Sequence, residues 1–201
     1  MNYRLDNCFF IFIGCRKRTG KDTVAKMLLE YGRANGIDIF KESCISHARR
    51  TMIDLIPQLK NTDDKDKKTI NGRSYREILI KLVDPILKID ELAFAKNLLK
   101  SIEEFHEENF RDFQVFVVPD IRRKSEVDFF RNQLKDKSYF VCVDKNIQKD
   151  NNAYGEGFLD DYNWDMIINN NGTLEDLEKS VIPLINIIHD TNELQKTKNL
   201  V

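Results

Sequence analysis

A glycine, a lysine and an aspartate stand together at Gly20-Lys21-Asp22, preceded by Arg16-Lys17-Arg18 and by another glycine at Gly14. Residue types in this order suit the capture of a phosphate. Glycines let the chain turn tightly, successive backbone N–H groups converge on an anion, and a lysine adds a point charge. The usual loop of this kind has four residues between its glycines; here Gly14 and Gly20 are separated by five. Cys15 therefore stands where the first glycine belongs, and Asp22 where a metal-binding Ser or Thr normally does. A second local concentration of positive charge, Arg122-Arg123, follows Asp120. An arginine offers a planar fork of donors that a phosphate can accept bidentately.

Such a loop needs a strand before it and a helix after it. Cys8 to Ile13 is an apolar run of aromatic and β-branched residues, which predicts the strand. Val24, Met27, Leu28 and Tyr31 recur at helical spacing, which predicts a helix from Asp22 to Ala34 that ends at Asn35-Gly36. Further along, Ile37 to Ile45 reads as a second strand, and Ser46 caps a short helix through Ile56 that Pro57 closes. Leu59 to Asn71 is charge-dense and reads as a solvated excursion. Ser74 to Leu87 and Asp90 to Phe110 are amphipathic helices, with Pro85 bending or ending the first. Gln114 to Val118 is a buried strand closed by Pro119-Asp120, followed by a helix from Ser125 to Leu134 and a strand from Tyr139 to Val143. Lys145 to Asp161 is polar, contains Gly155 and Gly157, and reads as a movable loop. Trp164 to Ile168 is the last strand and Leu174 to Ile188 the last helix, with a polar, fraying tail from Asp190.

Strands alternating with helices predict an α/β fold: a five-stranded parallel sheet covered by helices on both faces. Ligands in such sheets bind at the carboxyl ends of the strands. The Gly14–Asp22 stretch, Asp120 to Arg123 and the 145–161 loop all follow strand ends, so they are expected to meet on one edge.

The composition narrows the class. The 201 residues predict one domain, with hydrophobic residues at 41% and charged residues at 32%. A net charge of −1 and a pI near 6.3 argue against a general nucleic-acid or membrane partner. No apolar run approaches the roughly 18 residues of a membrane span, and the N-terminus lacks a signal-peptide pattern. The four cysteines at 8, 15, 44 and 142 fit neither a metal-ligand spacing nor a disulfide framework, which predicts a reducing, cytoplasmic setting. His47, His106 and His189 are isolated, and Trp164 reads as core.

The stretch Gly14 to Val24 resembles the phosphate-binding loops of phage and viral deoxynucleoside monophosphate kinases and of animal-type phosphomevalonate kinases. Both belong to the nucleoside-monophosphate-kinase branch of P-loop proteins and share the Gly-Lys-Asp ending. The resemblance continues through Pro119-Asp120-Ile121-Arg122-Arg123, Glu156-Gly157-Phe158-Leu159-Asp160-Asp161 and Trp164 to Leu174, so it spans nearly the whole chain. Arg122-Arg123 looks like the double arginine of phosphomevalonate kinases, whereas Lys21-Asp22-Thr23-Val24-Ala25 and the Asn-Asn-Gly-Thr-Leu ending look like the nucleotide kinases.

The resemblance implies an ATP-dependent phosphotransferase whose acceptor is itself a phosphate ester. A (deoxy)nucleoside monophosphate is the favoured acceptor, phosphomevalonate an alternative, and a degenerate nucleotide binder without turnover a third reading. Gly14, Cys15, Lys17, Arg18, Thr19, Gly20, Lys21, Asp22 and Thr23 would bind ATP. Lys21, Arg122, Arg18 and Asp120 would be catalytic, and Arg122, Arg123 and Arg18 would hold the acceptor's phosphate. Mg²⁺ would sit near Asp22 or Thr23, with Asp120 the other candidate for its shell. The core would comprise 6–58 and 111–190, with a helical acceptor-side insertion at about 72–110, a lid at about 145–161 and a frayed tail at 191–201. The partner is expected to be a small phosphorylated molecule, and the protein a monomer or homodimer.

Overall fold

Strand β1 (Cys8–Gly14) runs through the middle of the sheet, and every one of its residues is buried. Its alternation divides the molecule. Phe10 and Phe12 point into one apolar layer, while Phe9, Ile11 and Ile13 point into the other. A computed structural model describes residues 3–60, 66, 68–109, 111–146 and 159–198.

The remaining strands of the sheet are β2 (Asp38–Lys41), β5 (Gln114–Val118), β6 (Ser138–Asp144) and β7 (Met166–Asn169). All pair in parallel, in the order β2-β5-β1-β6-β7. Strands buried on both faces need helices above and below. On one face lie α1 (Lys21–Asn35) and α6 (Leu174–Lys198), supplying Val24, Leu28, Val181 and Leu184 to the layer of Ile11 and Ile13. On the other lie α2 (Ser46–Leu55), α3 (Tyr75–Ile89), α4 (Ala93–Glu108) and α5 (Lys124–Leu134). Aromatic stacking fills that layer: Phe12 lies 4.3 Å from Phe130 and 4.9 Å from Phe140, centroid to centroid. The five-stranded parallel sheet with helices on both faces is thus the fold expected from the sequence.

Several elements differ from their predicted extents. Strand β2 stops at Lys41, four residues short of the predicted end. Glu42 still donates its N–H to Val117, but the chain then leaves the sheet and carries Ser43 and Cys44 to Asp120. Ser46 is the first residue of α2 and makes no side-chain cap, the cap position being Ile45. Helix α3 passes through Pro85 to Ile89, because Leu79 and Val83 are buried ahead of the proline and Leu87 packs on the same core behind it. Ser74 and Glu77 close its start reciprocally: the Ser74 hydroxyl accepts from the Glu77 N–H at 3.2 Å, and the Glu77 carboxylate from the Ser74 N–H at 2.7 Å. Helix α6 runs to Lys198 instead of fraying from Asp190, since its buried stripe of Leu177, Val181, Leu184 and Ile188 continues to Asn192. Trp164 precedes β7 and is not part of it. The charge-dense stretch ends in a short hairpin, β3 (Lys68–Ile70) with β4 (Arg73–Ser74). Of the predicted lid, Lys149, Gly155, Gly157 and the rest of 147–158 lie outside the described residues.

Candidate active site

The Gly14–Lys21 loop leaves β1 and enters α1, as its sequence requires. Gly14 is buried beneath the Trp164 ring, and a β-carbon there would collide with that ring. Its need for glycine is therefore explained by close packing of an indole. Gly20 has φ of +100°, a conformation that glycine adopts without strain. Two other loop residues also take positive φ, Cys15 at +78° and Arg18 at +65°. The loop is bonded internally: the Thr19 hydroxyl donates to the Arg16 carbonyl at 3.0 Å, and Lys21 Nζ donates to the carbonyls of Cys15, at 3.2 Å, and of Arg16. Asn170, just past β7, donates to the Thr19 carbonyl at 2.8 Å and so ties the loop to the far side of the sheet. Arg16 grips Asp160 with both Nε, at 3.0 Å, and Nη2.

The expectation that no cysteines pair is corrected here. Cys15 and Cys142 are disulfide-bonded, with Cα atoms 5.2 Å apart. Parallel pairing of β1 with β6 aligns Gly14 with Cys142, which brings the next residue, Cys15, against it. Their separation of 127 residues hides that proximity from the sequence. Cys8 and Cys44 are buried free thiols. Burial pushes the Cys8 thiol up to about 12 and raises Cys44 well above the ordinary value.

Beside the loop, at the carboxyl ends of β1 and β5, lies a cavity of about 490 Å³. Lys17, Arg18, Lys21 and Asp22 border it on one side, and Asp120, Arg122 and Arg123 on another. Helix α3 forms an apolar wall with Tyr75, Leu79, Val83 and Leu87. The two predicted clusters thus meet as expected. Gly14, Cys15, Thr19, Gly20 and Thr23 do not border the cavity, the first four shaping the loop behind it. Asp22 borders it while pairing with Lys41 at 2.6 Å.

Asp120 is held by the chain that leaves β2. Its Oδ2 accepts from the Ser43 hydroxyl and its Oδ1 from the Cys44 N–H at 3.3 Å. Arg49, on α2, approaches Asp120 at 3.8 Å, too far for a hydrogen bond. Its Nε is buried and has no partner among the described residues. Glu126 sits under Arg122 and Arg123 and accepts both of their backbone N–H groups, each at 3.1 Å. Burial raises the Glu126 carboxyl above its ordinary value, against the two N–H groups that favour the anion. Desolvation likewise raises Glu42, which also borders the cavity.

Arg49, Arg76 and Glu126 are missing from the sequence-derived set. Arg76 borders the cavity and pairs with Asp66 at 2.6 Å. No local pattern marked Arg49: Arg49-Arg50 lies inside α2, well past the end of β2 at Lys41, whereas Arg122-Arg123 lies between the end of β5 at Val118 and the start of α5.

The profile of one family, deoxynucleotide monophosphate kinase, matches residues 29–181. That is more than half of the chain. The chain belongs to the deoxynucleotide monophosphate kinase family. It is therefore a kinase, and the match takes in Arg49, Asp120 and Arg122 while beginning downstream of the phosphate-binding loop. No curated protein matches this kinase. Among solved structures it is similar to a cysteine-to-alanine mutant of the APS kinase CysC from Mycobacterium tuberculosis, at 11% identity and a TM-score of 0.43, over 90% of this chain and 99% of that one. It is also similar to TT1252 from Thermus thermophilus, at 18% identity and a TM-score of 0.47, over 90% and 97% of the two chains. At these scores neither likeness bears on function. The fold rests on the strand order.

Proposed function

We propose that this kinase moves the γ-phosphoryl group of ATP to the phosphate of a (deoxy)nucleoside monophosphate, giving the diphosphate. The observation that carries this reading is one cavity bordered by the loop lysine, Lys21, by Arg49, Arg122 and Arg123 from other elements, and by the apolar wall of α3. Bringing two polyanionic phosphates together requires positive charge from both sides, and phosphoryl transfer is mostly positioning and charge neutralisation. Lys21 neutralises the donor's β- and γ-oxygens from the loop. Arg122 forks onto the acceptor's phosphate, and Arg49 supplies its unpartnered Nε to the same anion. Arg123 and Arg18 add charge nearby. The attacking phosphate oxygen is already ionised, so no general base is needed. Tyr75, Leu79 and Val83 line the cavity with one aromatic and two aliphatic side chains, apolar surface that a nucleobase would bury, which favours a nucleotide over a short branched acid such as phosphomevalonate.

The residues present also suit Mg²⁺. It prefers one or two carboxylates plus phosphates and water to a full protein cage. Asp22 and Asp120 both border the cavity, and no cluster of three or more metal-ligating side chains occurs among the described residues. Asp22 and Asp120 would hold the ion, which would supply positive charge to neutralise the phosphates. Thr23, exposed and away from the cavity, would not.

A coupled ADP-release assay over the deoxynucleoside monophosphates and phosphomevalonate tests the reading. Turnover with at least one deoxynucleoside monophosphate and none with phosphomevalonate is expected. Turnover with phosphomevalonate alone overturns the acceptor, and no turnover with any of them makes the protein a binder.

A further inference from the structure

We propose that Cys15 and Cys142 form a reversible redox site that pre-shapes the phosphate-binding loop, so that the disulfide form binds ATP more tightly than the dithiol. The proposal rests on the loop being the ATP site, and it starts from where Cys15 stands. That residue occupies the first-glycine position and holds φ of +78°, a left-handed conformation that costs a side-chain-bearing residue free energy glycine does not spend. Strained residues persist where the surroundings over-determine them. Here the surroundings are a covalent tie to Cys142, which lies in the buried stretch of β6 from Phe140 to Val143. With the bond intact, the carbonyls of Cys15 and Arg16 are held where Lys21 Nζ reaches them. With it broken, Cys15 can relax out of the left-handed region, and the loop must be re-ordered whenever a phosphate binds. Pre-organisation of this kind raises affinity by lowering the cost of binding.

The four cysteines sort cleanly for such chemistry. Cys8 and Cys44 are fully buried, and burial keeps both protonated. Cys142 is 6% exposed, and Cys15 is the more open of the bonded pair. The co-reactant is a low-molecular-weight disulfide. The Cys15 thiolate attacks one of its sulfurs, forming a mixed disulfide and releasing one small thiol. The Cys142 thiolate then attacks Cys15 Sγ, forming the protein disulfide and releasing the second small thiol. Two electrons pass to the small disulfide, and the two protons end on the released thiols. A small dithiol reverses both steps.

The full chain is equilibrated in buffers of reduced and oxidised glutathione, its free thiols are tagged and mapped, and ATP affinity is measured in each state. The expected result is that Cys15 and Cys142 alone are lost from the thiol pool. ATP should bind on the order of five- to thirtyfold more tightly to the oxidised form, the range open to one released left-handed residue. By linkage, saturating ATP should shift the dithiol–disulfide equilibrium toward the bond by the same factor. Cys142→Ser should stay at the weaker value in every buffer. Cys15→Gly, which takes the left-handed turn without strain, should stay at the tighter value, and it stands in for the serine variant if that fails to fold. Equal affinity in both states, tighter binding by the dithiol, oxidation of another pair, or a redox response retained in Cys142→Ser overturns the proposal and leaves the kinase reading intact. No ATP binding in either state, with the bond shown to form, overturns both.

Discussion

A buried guanidinium nitrogen without an acceptor costs about 1–3 kcal/mol, so a ligand that reaches the Arg49 Nε would gain by partnering it. In the proposed reaction the acceptor's phosphate would be that ligand. Arg122→Lys and Arg49→Lys keep the charge and lose the fork, so each should lower acceptor kcat/KM by roughly tenfold to a hundredfold, about 1.4–3 kcal/mol. ATP affinity, titrated separately, should hardly move. Collapse of ATP binding in either variant would place that arginine on the donor instead. Lys21→Ala should lose the thermal stabilisation that ATP and Mg²⁺ give the wild type, while the melting temperature without ligand stays nearly the same. Equal stabilisation of both proteins would remove Lys21 from the donor site. Lys21 was legible from its neighbours in the chain, because a phosphate-binding loop is a local pattern of strand, turn and helix. Arg49 was not, because its place depends on β2 ending early and turning the chain toward Asp120. The basic pair after a strand end was a usable signal at 122–123, whereas the pair at 49–50 lies within α2.

At the level of elements, the start of α5 sets Arg122 and Arg123 in place. The Glu126 carboxylate fixes the backbone of Arg122 and Arg123, so Glu126→Ala should cost about 1–2 kcal/mol of stability and raise the acceptor's KM more than it lowers kcat. A fall in kcat alone, with KM unchanged, would show that Glu126 does not act through those arginines. Burial raises the Glu126 carboxyl above its ordinary 4.5, so the folded state holds that proton more tightly than the unfolded chain does. Its contribution to stability is complete below pH 4.5 and is lost as pH rises through the folded value. Glu126→Gln cannot titrate, so its melting temperature relative to wild type should climb between pH 4.5 and neutrality. A difference that is flat or falls with pH would contradict the raised carboxyl. Most elements were legible to within a few residues because their apolar periodicity is strong. The failures have physical causes. Pro85 reads as a stop, yet burial on both sides carries α3 across it, and the polar sequence after Asp190 hides the buried Asn192 that lengthens α6.

At the level of the whole molecule, alternation of strands and helices was enough to give the sheet and its two covered faces. The Cys15–Cys142 bond was beyond sequence reasoning, since it depends on which strands become neighbours and in what register. The same convergence of distant segments places Trp164 on Gly14, where the phosphate-binding loop begins. It is the only tryptophan in the chain, so the protein carries its own optical probe beside the loop and the cysteine pair. Excited at 295 nm, the native protein should report on this spot alone. Neighbouring disulfides quench indoles, so opening the Cys15–Cys142 bond with a dithiol should brighten the emission, and ATP should shift it while a monophosphate added alone changes it less. Trp164→Phe should be dark to both. An emission indifferent to ATP and to dithiol would mean that the loop neither moves nor changes its covalent state under the indole.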